Sequence, residues 1–259
     1  MPDLRDLTNK TKEFACLHGA DLVKVAPAEV LNKKAPPGHR PKDYLSNAKS
    51  VVVLAIRLFD AALDGLPELR PLYTENFHFT SEEINFCANK VARFLVNQGF
   101  PSQPIFYSEF ERLFAKRPEK FDAVDVKSPA FNDEMSFKHA AVEAGIGKFG
   151  LNRLLLTPEY GPRVRLLMVL TAADMIYDQK IEEELCDPEK CGYRCVDICP
   201  PHSLKKQWTL EWGDQMDKLS CANYMFVNLK PLRCGLCVSS CPVGQESRGG
   251  KPLWWKSRN

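Results

Sequence analysis

No stretch of this 259-residue sequence approaches the ~18 consecutive apolar residues of a membrane-spanning helix, so no membrane partner is expected. The first residues, Met1-Pro2-Asp3-Leu4-Arg5-Asp6, hold neither an apolar signal core nor paired arginines; the expectation is a cytoplasmic protein. Neither sign of charge is in excess: 35 basic against 33 acidic side chains leave +2, which gives no reason to expect a nucleic-acid partner. There is no low-complexity segment. Hydrophobic content of 44% and charged content of 26% are those of an ordinary globular chain, long enough for one large domain or a core domain with a small module.

What is present in excess is cysteine, concentrated in one place. Eight of the ten cysteines lie between Cys186 and Cys241. In order they read Cys186-x4-Cys191-x3-Cys195-x3-Cys199-Pro200, then Cys221, then Cys234-x2-Cys237-x3-Cys241-Pro242. Disulfides are rare in the cytosol, so the cluster points to metal ligation. A cysteine run ending in Cys-Pro, whose last member ligates the other cluster, is the mark of two-cluster ferredoxins, and two such runs occur here. Eight thiolates satisfy two [4Fe–4S] clusters at four each. Cross-ligation assigns Cys186, Cys191, Cys195 and Cys241 to one cluster and Cys199, Cys221, Cys234 and Cys237 to the other. The first run is wider than the usual x2 spacing. Two structural zinc sites of four cysteines each are the alternative. Cys16 and Cys87 are expected to be buried free thiols on helix faces.

The preceding 175 residues alternate between the two periodicities. Residues 3–18 read as an amphipathic helix with Leu4, Leu7, Phe14 and Leu17 inward and Gly19 as its stop. Leu22–Ala26 is a short strand. Pro36-Pro-Gly-His-Arg-Pro41 is a loop, and Ser50–Ile56, almost unbroken in β-branched residues, is a buried central strand. A polar, proline-containing connection follows. Thr80-Ser-Glu-Glu83 reads as a capping box opening a helix to about Gln98. Gln103–Tyr107 is a strand, residues 108–131 have no clear period, and Asp133–Ala144 is a helix stopped by Gly145. Leu154–Thr157 and Val164–Thr171 read as two further strands. The expectation is an α/β domain of two or three layers over residues 1–175, a cysteine module over 176–245 and a tail over 246–259.

Gly145, Gly147 and Gly150 form G-x-G-x-x-G, but after a helix and before a strand, the reverse of the dinucleotide-binding turn. A nicotinamide cofactor is excluded on that order. The glycines still permit close backbone approach to a large ligand, or make a tight helix-to-strand connection.

GIGKFGLNRLLLTPEYGPRVRLLMVLT, followed by the doubled Cys-Pro module, resembles the epoxyqueuosine reductase and reductive dehalogenase superfamily. Cys221-Ala-Asn-Tyr between the two runs and Pro36-Pro-Gly-His-Arg-Pro before the Ser50–Ile56 strand are similar as well. The likeness spans roughly residues 20–245 and is strongest over 145–242. It implies a nitroreductase-like sheet-and-helix domain followed by a bacterial-ferredoxin-like module, α/β (α+β) in class. It also implies cobalamin bound without a protein axial histidine, in keeping with the lack of any D-x-H-x-x-G pattern around the five histidines. Electrons would pass from a low-potential donor such as a ferredoxin or flavodoxin, through the two clusters, to the cobalt and on to a small-molecule substrate. The implied cobalamin contacts are Gly145, Gly147, Gly150, Asn152 and Arg163. For proton donation, the reductases imply an acid near residue 131, where Asp133 is the nearest candidate; a helix N-cap is its other reading. The dehalogenases imply a tyrosine beside a cation, roles open to Tyr107 and Arg163. Two alternatives stay open: a protein that reduces the cobalt of a separate corrinoid protein, and a flavin in the nitroreductase-like pocket. The resemblance implies a further C-terminal region for tRNA in the reductases, but only 18 residues follow Cys241 and there is no basic run, so a tRNA substrate is not expected. The export signal and long insertion of respiratory dehalogenases are not seen either, so respiratory dehalogenation is not expected. His39 reads as a loop residue, and Trp254 and Trp255 as packing over the module.

Overall fold

The structure is a computed structural model that describes residues 3–106, 135–207 and 216–245. Four strands form its main sheet: β1 (Leu22–Pro27), β2 (Ser50–Arg57), β3 (Ser102–Ile105) and, after the two-stranded pair described below, β6 (Val164–Thr171). Their order across the sheet is β1-β2-β6-β3, and every neighbouring pair is antiparallel. β2 and β6 pair over their whole lengths, from Ser50 opposite Thr171 to Arg57 opposite Val164. Seven of the eight residues of β2 are buried. Unbroken burial usually accompanies parallel strands. Here it arises in an antiparallel sheet because both faces are covered.

Alternation along the strands divides the core in two. Val52, Leu54 and Ile56 join Leu167 and Val169 on the face covered by α1 (Leu4–Leu17) and α5 (Arg70–Asn97). Val51, Val53 and Ala55 join Leu166, Met168 and Leu170 on the other face. There they meet Ala28 and Leu31 of α2 (Ala28–Lys34) and Ala140 and Ala141 of α6 (Phe137–Glu143). The proline-rich loop after α2 leads into a single helical turn, α3 (Pro41–Tyr44). The domain is therefore a mixed α/β assembly of three layers. Glu143 ties the outer layer down: it is paired with Lys34 at 2.6 Å and with Lys180. Burial works against its charge, but the hydrogen bonds from these two lysines hold its pKa below the usual carboxylate value.

Several expectations need correction. In α1 the buried stripe is Leu7, Thr8, Thr11 and Ala15, with Phe14 packed beside it; Leu4 and Leu17 are exposed, Leu17 by 83%. Cys16 is exposed for the same reason, since it lies one position, about 100°, round the helix from Ala15. Cys87 is buried as expected. The region after β2 is not an irregular connection. It contains α4 (Asp60–Asp64) and the first turns of α5, which runs for 28 residues from Arg70. Thr80-Ser-Glu-Glu83 thus opens no helix. Ser81 donates to the carbonyl of Phe77 at 2.6 Å and Thr74 to that of Arg70 at 2.9 Å, the back-bonding by which hydroxyls are accommodated inside a helix. Leu154–Thr157 contributes only β5 (Leu155–Leu156), paired with β4 (Lys148–Phe149) in a separate two-stranded ribbon. Of the helix expected over 133–144, α6 begins at Phe137 behind Ser136, whose hydroxyl accepts from His139 N–H; residues 133 and 134 lie outside the described residues, as do 108–131.

Truncating Leu54, fully buried in β2, to alanine should cost about 2–5 kcal/mol, read as a lowered denaturation midpoint at unchanged m-value. His139 supplies a pH signature. Burial, with Lys138 nearby, lowers its pKa from 6.5 to about 4. The folded state thus favours neutral imidazole: this contribution is complete above pH 6.5 and is lost as pH falls towards 4. The stability of His139→Gln should therefore fall less steeply than that of the unaltered protein across that window, measured by urea unfolding at each pH.

Candidate metal centre

After β6 the chain forms short helical turns separated by left-handed residues: α7 (Pro188–Cys191), α8 (Arg194–Asp197), α9 (Lys218–Asn223) leading into a single wide turn at Tyr224–Asn228, and α10 (Leu236–Ser239). Gly192 (φ +65°) and Gly235 (φ +68°) sit at two of these junctions. Gly235, between Cys234 and Cys237, packs so tightly on Tyr73 of α5 that a Cβ would lie 2.4 Å from its ring. The turns share their core with the sheet domain. Leu236 and Val238 pack with Leu58, Leu63, Leu66 and Tyr73, with Cys234 and Cys237 against them. Cys195 and Cys199 pack with Leu151 and Leu204, and Cys186 and Cys237 border that group.

All eight cysteines of the module carry free thiols, and electrostatic influence sorts most of them into two sets. Burial pushes the Cys195 thiol up to about 12, reinforced by Cys241, Cys186 and Cys191. Burial likewise raises Cys237, reinforced most by Cys234 and Cys221, and raises Cys221 to about 11, reinforced by Cys234 and Cys199. The sets meet where Cys195 acts on Cys237. Among the described residues, no three cysteine, histidine or carboxylate groups come close enough to hold a single metal ion.

The loops bearing these thiols are held by groups from the sheet domain. The N–H of Leu151 donates to Cys186 Sγ at 3.4 Å. Asn152, buried, donates from Nδ2 to the Cys237 carbonyl at 3.1 Å while its Oδ1 accepts from Leu154 N–H. Arg163, 2% exposed, donates from Nη2 to the carbonyls of Ser239 (3.1 Å) and Cys241 (3.0 Å) and from Nη1 to that of Val243 (3.3 Å). Its Nε lies 3.6 Å from Asp60 Oδ1. Arg70, at the start of α5, donates to the carbonyls of Arg233 (3.1 Å) and Cys234 (2.7 Å), and Thr74 Oγ1 accepts from Arg233 N–H at 2.9 Å. Two further guanidiniums, of Arg165 and Arg233, stand 3.8 and 5.1 Å from the Phe77 ring centre, contacts that help accommodate cations at a partly buried site.

The glycines of the 145–150 stretch meet the chain's own backbone. A Cβ on Gly145 (φ +76°) would lie 1.9 Å from the Gln179 carbonyl oxygen, and one on Gly147 2.1 Å from that of Leu156. A Cβ on Gly150 would meet the Leu156 side chain at 2.7 Å. Asn152 and Arg163 hold cysteine-bearing loops. Internal contacts thus account for all five residues expected to touch a cofactor. Tyr107 and Asp133 lie outside the described residues. The sequence reading missed Leu151, Arg70, Thr74 and Tyr73, because three of them stand in a region read as a loop and Leu151 acts through its backbone. Gly161 and Gly244 were missed too. A Cβ on Gly161 (φ +55°) would lie 2.0 Å from the Val243 oxygen, so the Pro158–Gly161 turn seats directly on the segment after Cys241.

No family model matches the chain. Over 191 residues it is 30% identical to an epoxyqueuosine reductase of Bacillus cereus, a span of 71% of this chain and 42% of that protein. Over 139 residues it is 27% identical to a tetrachloroethene reductive dehalogenase of Dehalobacter restrictus, covering 44% of this chain and 23% of that one. The chain belongs to the epoxyqueuosine reductase and reductive dehalogenase superfamily. It spans about two fifths of the length of the epoxyqueuosine reductase it matches. Its fold is similar to both groups. A catabolic reductive dehalogenase in complex with 3-bromo-4-hydroxybenzoic acid superposes with a TM-score of 0.72 over 95% of this chain and 34% of that one, at 17% identity. An epoxyqueuosine reductase bound to an epoxyqueuosine-modified tRNA-Tyr stem loop superposes with a TM-score of 0.56 over 95% and 67%, at 19% identity. Among the described residues no helix is long and apolar enough to cross a membrane.

Gly161→Ala should unseat the Cys241 segment. We expect the buried Cys241 thiol to be alkylated faster in the purified, reduced variant than in the unaltered chain, with the sheet domain's far-ultraviolet circular dichroism retained.

Proposed function

We propose that this chain is an oxidoreductase whose two [4Fe–4S] clusters are held by Cys186, Cys191, Cys195 and Cys241 and by Cys199, Cys221, Cys234 and Cys237. They take electrons from a low-potential donor of the ferredoxin or flavodoxin class for reduction of a small molecule at a cobalamin. The observation that carries the reading is the module of eight cysteines with its two Cys-Pro runs, folded against Leu58, Leu63, Leu151, Leu204, Leu236 and Val238 in a chain of this superfamily. Clusters there would supply single-electron transfer at low potential, and a corrinoid would supply the metal that acts on substrate. Cobalamin is supported by the relatives, which include a reductive dehalogenase studied for B12-dependent dehalogenation. The residues described here act on the cluster side. Leu151, Asn152, Arg163 and Arg70 orient the ligand loops, and the packing of Leu204, Leu236 and Val238 excludes water. We carry the sheet-and-helix part as nitroreductase-like and the cysteine part as ferredoxin-like.

A second reading takes a nucleic-acid substrate, favoured by the likeness to the stem-loop-bound epoxyqueuosine reductase.

Anaerobic purification with iron, sulfide and added cobalamin tests the proposal. About eight iron per chain and cobalamin absorption bands in the purified protein are expected; zinc in place of iron, or no bound corrinoid, defeats it. A flavin spectrum would point to the flavin alternative, and turnover of an epoxyqueuosine-containing stem loop to the second reading. Cys241→Ala should disturb the same cluster signal as Cys186→Ala, and Cys199→Ala the same as Cys234→Ala; pairing within each run would contradict the assignment.

A further inference from the structure

We propose that each cluster has its own buried arginine, Arg163 for the cluster of Cys186, Cys191, Cys195 and Cys241 and Arg70 for that of Cys199, Cys221, Cys234 and Cys237. These two fixed charges set the two reduction potentials separately. The inference rests on the two-cluster reading above.

The two arginines reach different cysteine-bearing segments of the module. Arg163 stands just ahead of β6 and donates to the carbonyl of Cys241, the residue that closes the first cluster. Arg70 opens α5 and donates to the carbonyl of Cys234, a ligand of the second. Both are buried, at 2% and 8% exposure. Each guanidinium thus donates to the backbone of a residue that ligates a cluster, from a buried position where water screens its charge little. Neutral donors could hold these carbonyls without the cost of burying a charge. The charge itself has an evident use. One-electron reduction adds a negative charge to a cluster, and cluster potentials respond to net charge and hydrogen bonding around the sulfurs. A buried cation beside the ligand loop stabilises the reduced form. Arginine keeps its proton at any accessible pH, so the effect is constant. Asp60, 38% exposed and 3.6 Å from Arg163 Nε, offsets part of that arginine's charge.

The test uses the full iron-loaded chain, titrated potentiometrically with a one-electron reductant and followed by electron paramagnetic resonance. Arg163→Gln should lower one of the two waves, changing the oxidised-to-reduced ratio at fixed potential by about tenfold, or ~59 mV for a one-electron couple. Arg70→Gln should lower the other wave by a similar amount, and both variants should keep about eight iron. Arg163→Lys and Arg70→Lys should restore each wave, because they return the charge. Asp60→Asn should move Arg163's wave upward. If both Gln variants move the same wave, or neither moves one, the proposal is overturned. Where Arg163→Gln loses iron, Asp60→Asn decides: a rise supports the proposal and an unmoved wave overturns it. Where Arg70→Gln loses iron, Arg70→Lys decides: an unmoved wave supports the proposal and a lowered wave overturns it. An unaltered chain without iron would instead defeat the functional reading beneath it.

Discussion

Loops that present eight thiols cannot hold themselves in place, since each is a turn or two of helix and helices so short are marginal without tertiary packing. The module depends on donors brought from elsewhere, and most heavily on the Arg163 guanidinium, which reaches three carbonyls around Cys241 from inside the protein. A planar group with several donors in a fixed fork suits three carbonyls on one curved segment. A lysine at this site would supply the charge without that geometry. The neighbouring Pro158–Gly161 turn adds a steric seat, with Gly161 and Gly244 in backbone contact. Cys241 is thereby placed by one continuous stretch of the sheet domain.

The sheet explains how such a stretch can be rigid. β2 and β6 pair over eight residues with both faces buried, and they end together. The N–H of Leu58 continues the ladder by donating to the Arg163 carbonyl at 2.8 Å. Asp60 follows two residues later, so the ion pair and the clamp on the Cys241 segment both hang from the most deeply buried strand pair. Arg70 hangs from the first turn of α5, whose later turns cover the same sheet. Leu58 and Tyr73 therefore pack in one cluster with Leu236 and Val238 of the cysteine module, although eight of the ten cysteines lie in the last third of the chain.

Much of the secondary structure could be read from the sequence, and the reasons for the misses are specific. Period-2 and β-branched patterning located β1, β2, β3 and β6. Glycine stops located the ends of α1, α5 and α6. The beginning of α5 escaped because Thr74, Thr80 and Ser81 look like cap or loop residues until Thr74 and Ser81 are seen bonding back to the helix and Thr80 accepting from Asn76 Nδ2. The antiparallel order of the sheet was hidden because burial on both faces erases the alternation that distinguishes the two strand arrangements. Cys16 and Leu17 were misplaced because the apolar stripe of α1 includes two buried threonines.

Local pattern by itself determined the elements with strong periodicity, the concentration of thiols in two Cys-Pro runs and membership of the superfamily, since each is a property of neighbouring residues. Only the tertiary structure decided what the glycine stretch and its arginine do. Asn152 meets Cys237 across 85 positions, Arg163 meets Cys241 across 78 and Arg70 meets Cys234 across 164. The acceptors in all three are backbone carbonyls, which every residue carries. No spacing or side-chain identity marks such a partner in advance, and folding alone selects it.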